Sequence, residues 1–358
     1  MLIAPPSRSP PVLPWIVATA NFLLALTFAA LLFTSTPAHV EAATPSAEAS
    51  APTTSLHALF SAGGALANAK YIDLTHAIHP GMDLWAGFNQ PNFGPALATE
   101  QPGFATAGEP FSYGSHGFIA TDVHLHTDQI GTQLDPPAHW NEYGATISDV
   151  PASVSLRPLV VIDVTAQVAA DPTYFATVAD VEAHEAAHGR IPAGSAVFFR
   201  TDWSRGWEGY DGSETMPSVG LDALKLLHLE RGVLVHGHEP LDTSTTPNMA
   251  EEAWLMHANF LQIEGATNLH LLPPTGCLLS IGFAKILGGA GGYARLIAVC
   301  PEDWAHGVTV ATHPGAPLPT QSAPLRRDGS GVLRPTEGAA PTEYCAAGSA
   351  AAGCPLPL

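Results

Sequence analysis

The stretch that most limits how this chain can fold is Gln129-Ile130-Gly131-Thr132-Gln133-Leu134-Asp135-Pro136-Pro137-Ala138-His139. Along an extended backbone, successive side chains point to opposite faces, so the odd-numbered positions share one side. Gln129, Gly131, Gln133, Asp135, Pro137 and His139 are all odd, which sets two amides, a carboxylate and an imidazole toward one cavity. Proline has no N–H for a sheet ladder, so Pro136 and Pro137 predict that the strand ends near Leu134. Asp135 and His139 then project from a stiff loop at the strand's end, where functional groups concentrate on rigid scaffolds. A carboxylate and an imidazole so placed suit a divalent cation with a histidine as general base. The other reading of the same residues is a buried turn in which both glutamines satisfy backbone groups.

Composition narrows the function classes. Thirteen Lys+Arg against 32 Asp+Glu give a formal charge of −19, which argues against nucleic acid or anionic membrane surfaces as partners. Charged residues make up 13% of the 358 and hydrophobic ones 46%, enough for a sizeable core. With 17 histidines, a single His carries little ligand information, so the weight falls on motifs.

Four segments are expected. Residues 15–33 are apolar and uncharged, with Arg8 before them and Val40-Glu41-Ala42 as a small-residue cleavage site. Residues 1–42 therefore read as a secretory signal or, if uncleaved, a membrane anchor, and the protein as exported. Residues 43–68 read as an Ala/Pro/Ser/Thr-rich disordered linker, 69–303 as the globular domain, and 304–358 as a Pro/Gly/Ala-rich, poorly ordered tail. Cys345 and Cys354 in that tail are close enough for a small disulfide loop, and Cys277 and Cys300 are expected as core thiols on apolar strands.

Within the domain, strands are predicted at 71–75, 159–164, 195–199, 233–235, 261–264, 277–283 and 294–299. Residues 89–117 lack periodicity and suggest a loop over a site mouth. His124 and His126 alternate on the strand leading to Gln129, on the face opposite the odd-numbered groups. Thr177-Val178-Ala179-Asp180 is a capping box for a helix that ends at Gly189. That helix contains His184-Glu185-Ala186-Ala187-His188, formally the H-E-x-x-H zinc peptidase pattern, with no third ligand indicated downstream. Ser218 is expected to cap a second helix that Gly232 stops. Gly288-Gly289-Ala290-Gly291-Gly292 reads as a flexible loop and not a nucleotide fingerprint, because no helix pattern follows it.

The 129–139 stretch resembles the signature of the metal-dependent cyclase family, which includes bacterial kynurenine formamidase and isatin hydrolase: H-x-G-T-H-x-D-x-P-x-H. Gly131, Thr132, Asp135, Pro137 and His139 match in register, while Gln129 and Gln133 stand where the family has two metal-binding histidines. The resemblance implies a divalent metal, Mn²⁺ or Zn²⁺, held by Gln129, Gln133, Asp135 and Glu264. The two amides favour Mn²⁺ or Mg²⁺ over tightly bound Zn²⁺. Trp85 resembles the tryptophan that lines the family's pocket, with a core aromatic as the other reading. His238 is implied as a substrate contact and Asp242 as a second-tier one. Glu264 resembles the family's second metal segment. The histidine that precedes it by about a dozen residues there is matched only by Glu252 in spacing, or by the nearer His257. Asp202 replaces the glycine of a Thr-Gly-Trp-like turn.

Alternating strands and capped helices give an α/β fold with a mixed sheet. The resemblance implies a swivelling β/β/α domain assembled as a homodimer or homotetramer. It also implies hydrolysis of a C–N bond in an amide, formamide or cyclic amide, with an aromatic small molecule as substrate and His139 as base. Two other readings stand beside this one. The first is a secreted small-molecule-binding protein with a degenerate, metal-free pocket; the second is a zinc peptidase built on His184 and His188.

Overall fold

Among the described residues nine strands hydrogen-bond into one mixed sheet, and seven of them close on themselves. The computed structural model describes residues 56–61, 63–209, 216–241, 249–309, 318 and 320–340. The predicted leader, Cys345, Cys354 and Asp242 lie outside the described residues. In chain order the strands are β1 (Lys70–Asp73), β2 (Asn92–Pro95), β3 (Thr121–His124), β4 (Gln133–Asp135), β5 (Leu156–Asp163), β6 (Ala196–Arg200) and β7 (Val235–His238). They continue as β8 (Leu261–Glu264), β9 (Cys277–Phe283), β10 (Gly292–Cys300) and β11 (Val308–Thr309). The main helices are α1 (Val178–His188), α2 (Leu221–Lys225) and α3 (Ala250–His257).

The neighbour order is β9-β5-β6-β7-β8-β4-β10, and β9 pairs with β10 to complete a barrel. The pairs from β5 to β8 are parallel and the remainder antiparallel. This is the α/β fold with a mixed sheet that the strand–helix alternation implied, but closed. Alternation assigns every barrel residue a side. Leu159, Val161, Phe198, Val235, Ile263, Leu134, Leu279, Ile281 and Leu296 fill the interior. Gly237 is registered opposite Phe198, and a Cβ on it would lie 2.4 Å from the Phe198 ring, so the barrel needs glycine there.

The outer face is split by function. Val160, Ile162, Val197 and Phe199 pack under Val181 of α1 and Leu224 of α2 in a second core. On the neighbouring strands the outward positions are polar instead: His236 and His238 of β7, Gln262 and Glu264 of β8, Gln133 and Asp135 of β4, all buried. Leu134 alone of its strand enters the barrel, so the odd-numbered face predicted from the sequence is the outer one. The strand ends at Asp135, with Pro136 and Pro137 leading into a 3-10 turn, Pro137–His139.

Several expectations change. Ser218 caps nothing: Ser218–Val219 pairs with Phe175–Ala176, and the helix starts after Gly220 and runs into a π-turn, Leu226–Glu230. β3 pairs with β2 outside the barrel, and His124 and His126 are exposed. The Pro/Gly-rich tail contains a hairpin, Leu325–Arg327 with Leu333–Pro335, tied to the β2–β3 unit by Arg327 Nη2 donating to Ala120 O at 2.7 Å. Among the described residues no helix is long and apolar enough to cross a membrane.

Cys277 and Cys300 are not thiols. The register that pairs Leu278 with Val299 sets them opposite each other on β9 and β10, where they form a disulfide. A bridge at a sequence separation of 23 stabilises by restricting the unfolded chain, about 3 kcal/mol by loop-closure entropy. Non-reducing peptide mapping should recover the two cysteine peptides linked. Reduction, or the Cys277→Ala/Cys300→Ala pair, should lower unfolding free energy by about that amount.

Candidate active site

Three carboxyl groups meet on the outer face of the barrel. Asp135 is on β4, Glu264 on β8 and Glu252 in the first turn of α3, and one oxygen from each lies within 4.8 Å of the others. All three are buried, at 0%, 4% and 1% exposure. Register explains the first pair: β8 runs antiparallel to β4 with Glu264 opposite Gln133 and Gln262 opposite Asp135. Helical geometry explains the third. Glu252, Leu255 and Met256 are the buried positions of α3, at the i, i+3, i+4 spacing of one helix face. His257 falls off that face and is exposed, so of the two residues suggested by spacing the helix delivers only Glu252.

Glutamine amides knit the cluster together. Gln262 Nε2 donates to Glu264 Oε1 at 2.7 Å and Glu252 Oε1 at 2.8 Å, and reaches Asp135 Oδ2 at 3.4 Å. Gln133 Nε2 donates to Glu264 Oε2 at 3.0 Å, lies 3.3 Å and 3.4 Å from the two Asp135 oxygens, and contacts Gln129 Oε1. An amide nitrogen carries two hydrogens, yet each of these faces three or four acceptors. Burial pushes the Asp135 carboxyl up, against the lowering by His139 nearby and by the amides of Gln262, Gln133 and Gln129. Oxygens in excess of hydrogens, all buried, fit a hard divalent cation, which takes carboxylate and amide oxygens at such sites. A half turn of the Gln133 amide presents its oxygen to the same point.

His139 stands beside this cluster with Nε2 3.8 Å from Glu252 Oε1. Its Nδ1 lies 3.2 Å from Gln129 Nε2, an obligate donor that also bonds Ala290 O at 2.9 Å. The Ala290 carbonyl thereby fixes the amide's orientation, His139 Nδ1 accepts, and the imidazole hydrogen is on Nε2, facing Glu252. Gln129 is therefore turned toward His139. The glycine loop expected to be flexible is held in place behind Gln129: Asp128 Oδ2 accepts from the N–H groups of Ala290 and Gly291, at 2.9 Å each. A Cβ at Gly291 would sit 2.4 Å from Gln129 Nε2.

Above the carboxyls is a cavity of about 320 Å³ walled by Leu84, Trp85, Phe88, Trp140, Leu241 and Met249, with Gln129, Gln133, His139, Glu252 and Glu264 at its polar end. Trp85 is in this wall, edge-on to Phe88 with ring centroids 5.0 Å apart. An apolar chamber with a few convergent polar groups is the usual form of a small-molecule site.

The Cyclase family profile matches residues 72–244. Isatin hydrolase of Roseibium aggregatum is 30% identical over 208 residues, which span 53% of this chain and 79% of that one. The chain belongs to the cyclase family. Isatin hydrolase A from Ralstonia solanacearum superposes with a TM-score of 0.58 at 27% identity, covering 71% of this chain and 100% of that one. Isatin hydrolase A from Labrenzia aggregata, bound to benzyl benzoate, shares the fold with a TM-score of 0.56 at 24% identity, over 66% and 95% of the two chains. Against the family's signature, the structure sets the two substituted positions, Gln129 and Gln133, in the polar end of the cavity.

Other candidates fall outside this cyclase pocket. His238 is buried on β7 with Nδ1 3.0 Å from Pro240 O and does not line the cavity. In the H-E-x-x-H segment, Glu185 is held by Arg231 through two contacts of 2.9 Å and by the Ile191 N–H at 3.1 Å, so it is not available as a base. That arrangement removes the peptidase reading. Gln262 was absent from the sequence-derived site, although its alternation with Glu264 puts both on one strand face.

Next to the site runs a line of neutral histidines. His228 Nδ1 donates to Val233 O at 3.0 Å, leaving Nε2 to accept from His236 Nδ1 at 3.4 Å. Burial pushes His228 and His238 down to about 4, and His236 well below its ordinary value. The unfolded chain protonates these imidazoles near pH ~6.5, so between ~6.5 and ~4 it binds more protons than the folded state. Their contribution to stability is complete above that window and is lost as pH falls through it. Asp135 and Glu239, both raised by burial, act in the opposite sense at its acid end. Urea midpoints should therefore fall from neutral pH toward pH ~4.5, with a shallower slope in His228→Gln.

Proposed function

We propose that this protein is a metal-dependent hydrolase that cleaves the C–N bond of a flat amide, formamide or cyclic amide of the isatin type. The observation that carries the reading is the set of three buried carboxyls from three separate elements, facing His139 at the floor of an aromatic-walled cavity. Family membership and the isatin hydrolase relatives support it.

Asp135, Glu252 and Glu264 would hold the cation, with the Gln133 amide oxygen as a further donor. A divalent ion there polarises the substrate carbonyl and makes water acidic. The chain's own groups handle position and protons. Trp85, Phe88 and Trp140 take a planar ring and exclude solvent from the reacting bond. Water adds to the carbonyl carbon and loses its proton to Glu252 Oε1. Glu252 gives that proton to the departing nitrogen as the C–N bond breaks, while His139 Nε2–H donates a hydrogen bond to the substrate. His139 Nε2 and Glu252 Oε1 are 3.8 Å apart and line the same end of the cavity. The sequence reading gave His139 both proton transfers, from the water and to the leaving nitrogen. With a hydrogen already on Nε2 in the tautomer set by Gln129 and Ala290, we assign both transfers to Glu252 instead.

A specific observation favours a second reading, a metal-free binding protein: amide N–H groups already bond the carboxyl oxygens. Elemental analysis and turnover of a cyclic aromatic amide separate the two. The hydrolase should lose activity with chelator and regain it with Mn²⁺. His139→Ala should keep its metal and far-UV spectrum while turnover falls roughly 10²–10⁴-fold. Protein without metal and without chelator-sensitive turnover would instead be the binder.

The amide ligands generate a selectivity test. Gln133→His replaces a hard donor by imidazole, so Zn²⁺ affinity should rise by roughly an order of magnitude or more while Mg²⁺ affinity does not, as read by competition with a chromogenic chelator. We also propose export, supported by the apolar leader and by the Cys277–Cys300 disulfide, a bond maintained in oxidising compartments.

A further inference from the structure

We propose that His184 and His188 of α1 form a two-imidazole clamp for a borderline divalent cation of the Zn²⁺, Cu²⁺ or Ni²⁺ type, a site separate from the carboxyl cluster. The two side chains are four residues apart and share a helix face, with ring centroids 4.9 Å apart. Two imidazoles on one tetrahedral ion with Zn–N bonds of about 2.0–2.1 Å have centroids roughly 5 Å apart, so the rings already have the required spacing.

A second observation points to a ligand. His184 is 8% exposed, and its Nε2 is buried with no hydrogen-bond partner among the described residues. A buried polar nitrogen without a partner has lost its hydration with nothing in exchange, and a bound cation would supply the missing interaction. The two rings line a cavity of about 230 Å³ whose other polar walls include Asp163, Gln167 and Asp180. Asp163 is paired with Arg200 at 2.9 Å and Asp180 is held by the helix cap, so the two imidazoles are the ligands offered there.

The helix is held firmly enough to present a fixed pair. The Thr177–Asp180 capping box starts it, and the Glu185–Arg231 pair anchors it to the segment after the π-turn. That ion pair also sets what the clamp can do. The one carboxylate of the motif that could activate water is turned away, so the clamp binds without hydrolysing. Its location is independent of the carboxyl site: α1 covers β5, and β6 and β7 lie between β5 and β8 around the barrel. The exposed pair His124 and His126, with centroids 4.5 Å apart, is the natural control, because it has the spacing without the burial or the cavity.

The test uses the full chain without a histidine tag, titrated with Cu²⁺ and followed by electron paramagnetic resonance, and with Zn²⁺ followed by equilibrium dialysis. Wild type should bind one equivalent with nitrogen splitting from two imidazoles. His188→Gln, an exposed position that leaves the fold intact, should weaken binding at least about tenfold and reduce the splitting to one imidazole. His184→Gln should do the same, and Glu264→Gln and His124→Gln/His126→Gln should leave this equivalent in place. Unchanged binding in His188→Gln, or loss that follows His124 and His126 or Glu264 instead, would overturn the assignment.

Discussion

Everything at this site depends on keeping three carboxyl groups buried side by side. In a low-dielectric volume such groups repel one another and each loses its hydration, a penalty that rises steeply with every added charge. The chain offsets it in two ways. Gln262 and Gln133 send their amide hydrogens into the cluster from adjacent strands, bonding Glu252, Glu264 and Asp135 across β4, β8 and α3. The excess of oxygen over hydrogen that remains fits a cation, which would neutralise what amides only orient. Without the two glutamines the carboxyls would have to be protonated or driven apart, and with either change the floor of the cavity would lose its charge.

The closed barrel makes that arrangement possible. Its interior is hydrocarbon from β4 round to β10, so the strands that carry the polar residues are fixed from behind by packing that does not involve the site. β10 is central to closure, because it pairs with β9, β4 and β1 and is bridged to β9 by the disulfide. The loop entering β10 supplies Ala290, whose carbonyl orients Gln129 and through it the His139 tautomer. Rigid strands thus reach the His139 imidazole through two hydrogen bonds. The aromatic wall comes from a different source, the segment between β1 and β2 and the turn after β4, which can vary without disturbing the carboxyl floor.

Much of this was legible in residue order. The odd-numbered run from Gln129 to His139 encodes a shared face, the prolines encode the end of its strand, and Leu261–Glu264 encodes a short strand that carries Glu264. The capping box at Thr177 and Asp180 encoded a helix start to the residue. Other features were silent for physical reasons. Cys277 and Cys300 look like two unrelated core thiols until strand register sets them opposite each other. The glycine run around Ala290 looks flexible until Asp128 binds its amides. Ser218 has the chemistry of a cap, but its backbone N–H is used by Tyr174 O instead, and the helix begins two residues later. Glu185 completes a catalytic pattern on paper, while Arg231, distant in sequence, holds its carboxylate elsewhere.

By itself the sequence determined the periodicities: which side chains share a strand face or a helix face, where proline stops a ladder, and which five motif residues tie the chain to the cyclase family. Only the tertiary structure decided which of those faces meet. Glu252 rather than His257 joins Asp135 and Glu264 because α3 lies on the barrel with one particular side down, and that rotation is set by Leu255 and Met256 packing. Local order along a chain follows from short-range sterics and alternation, whereas convergence of three charges from three elements follows from how the whole barrel closes.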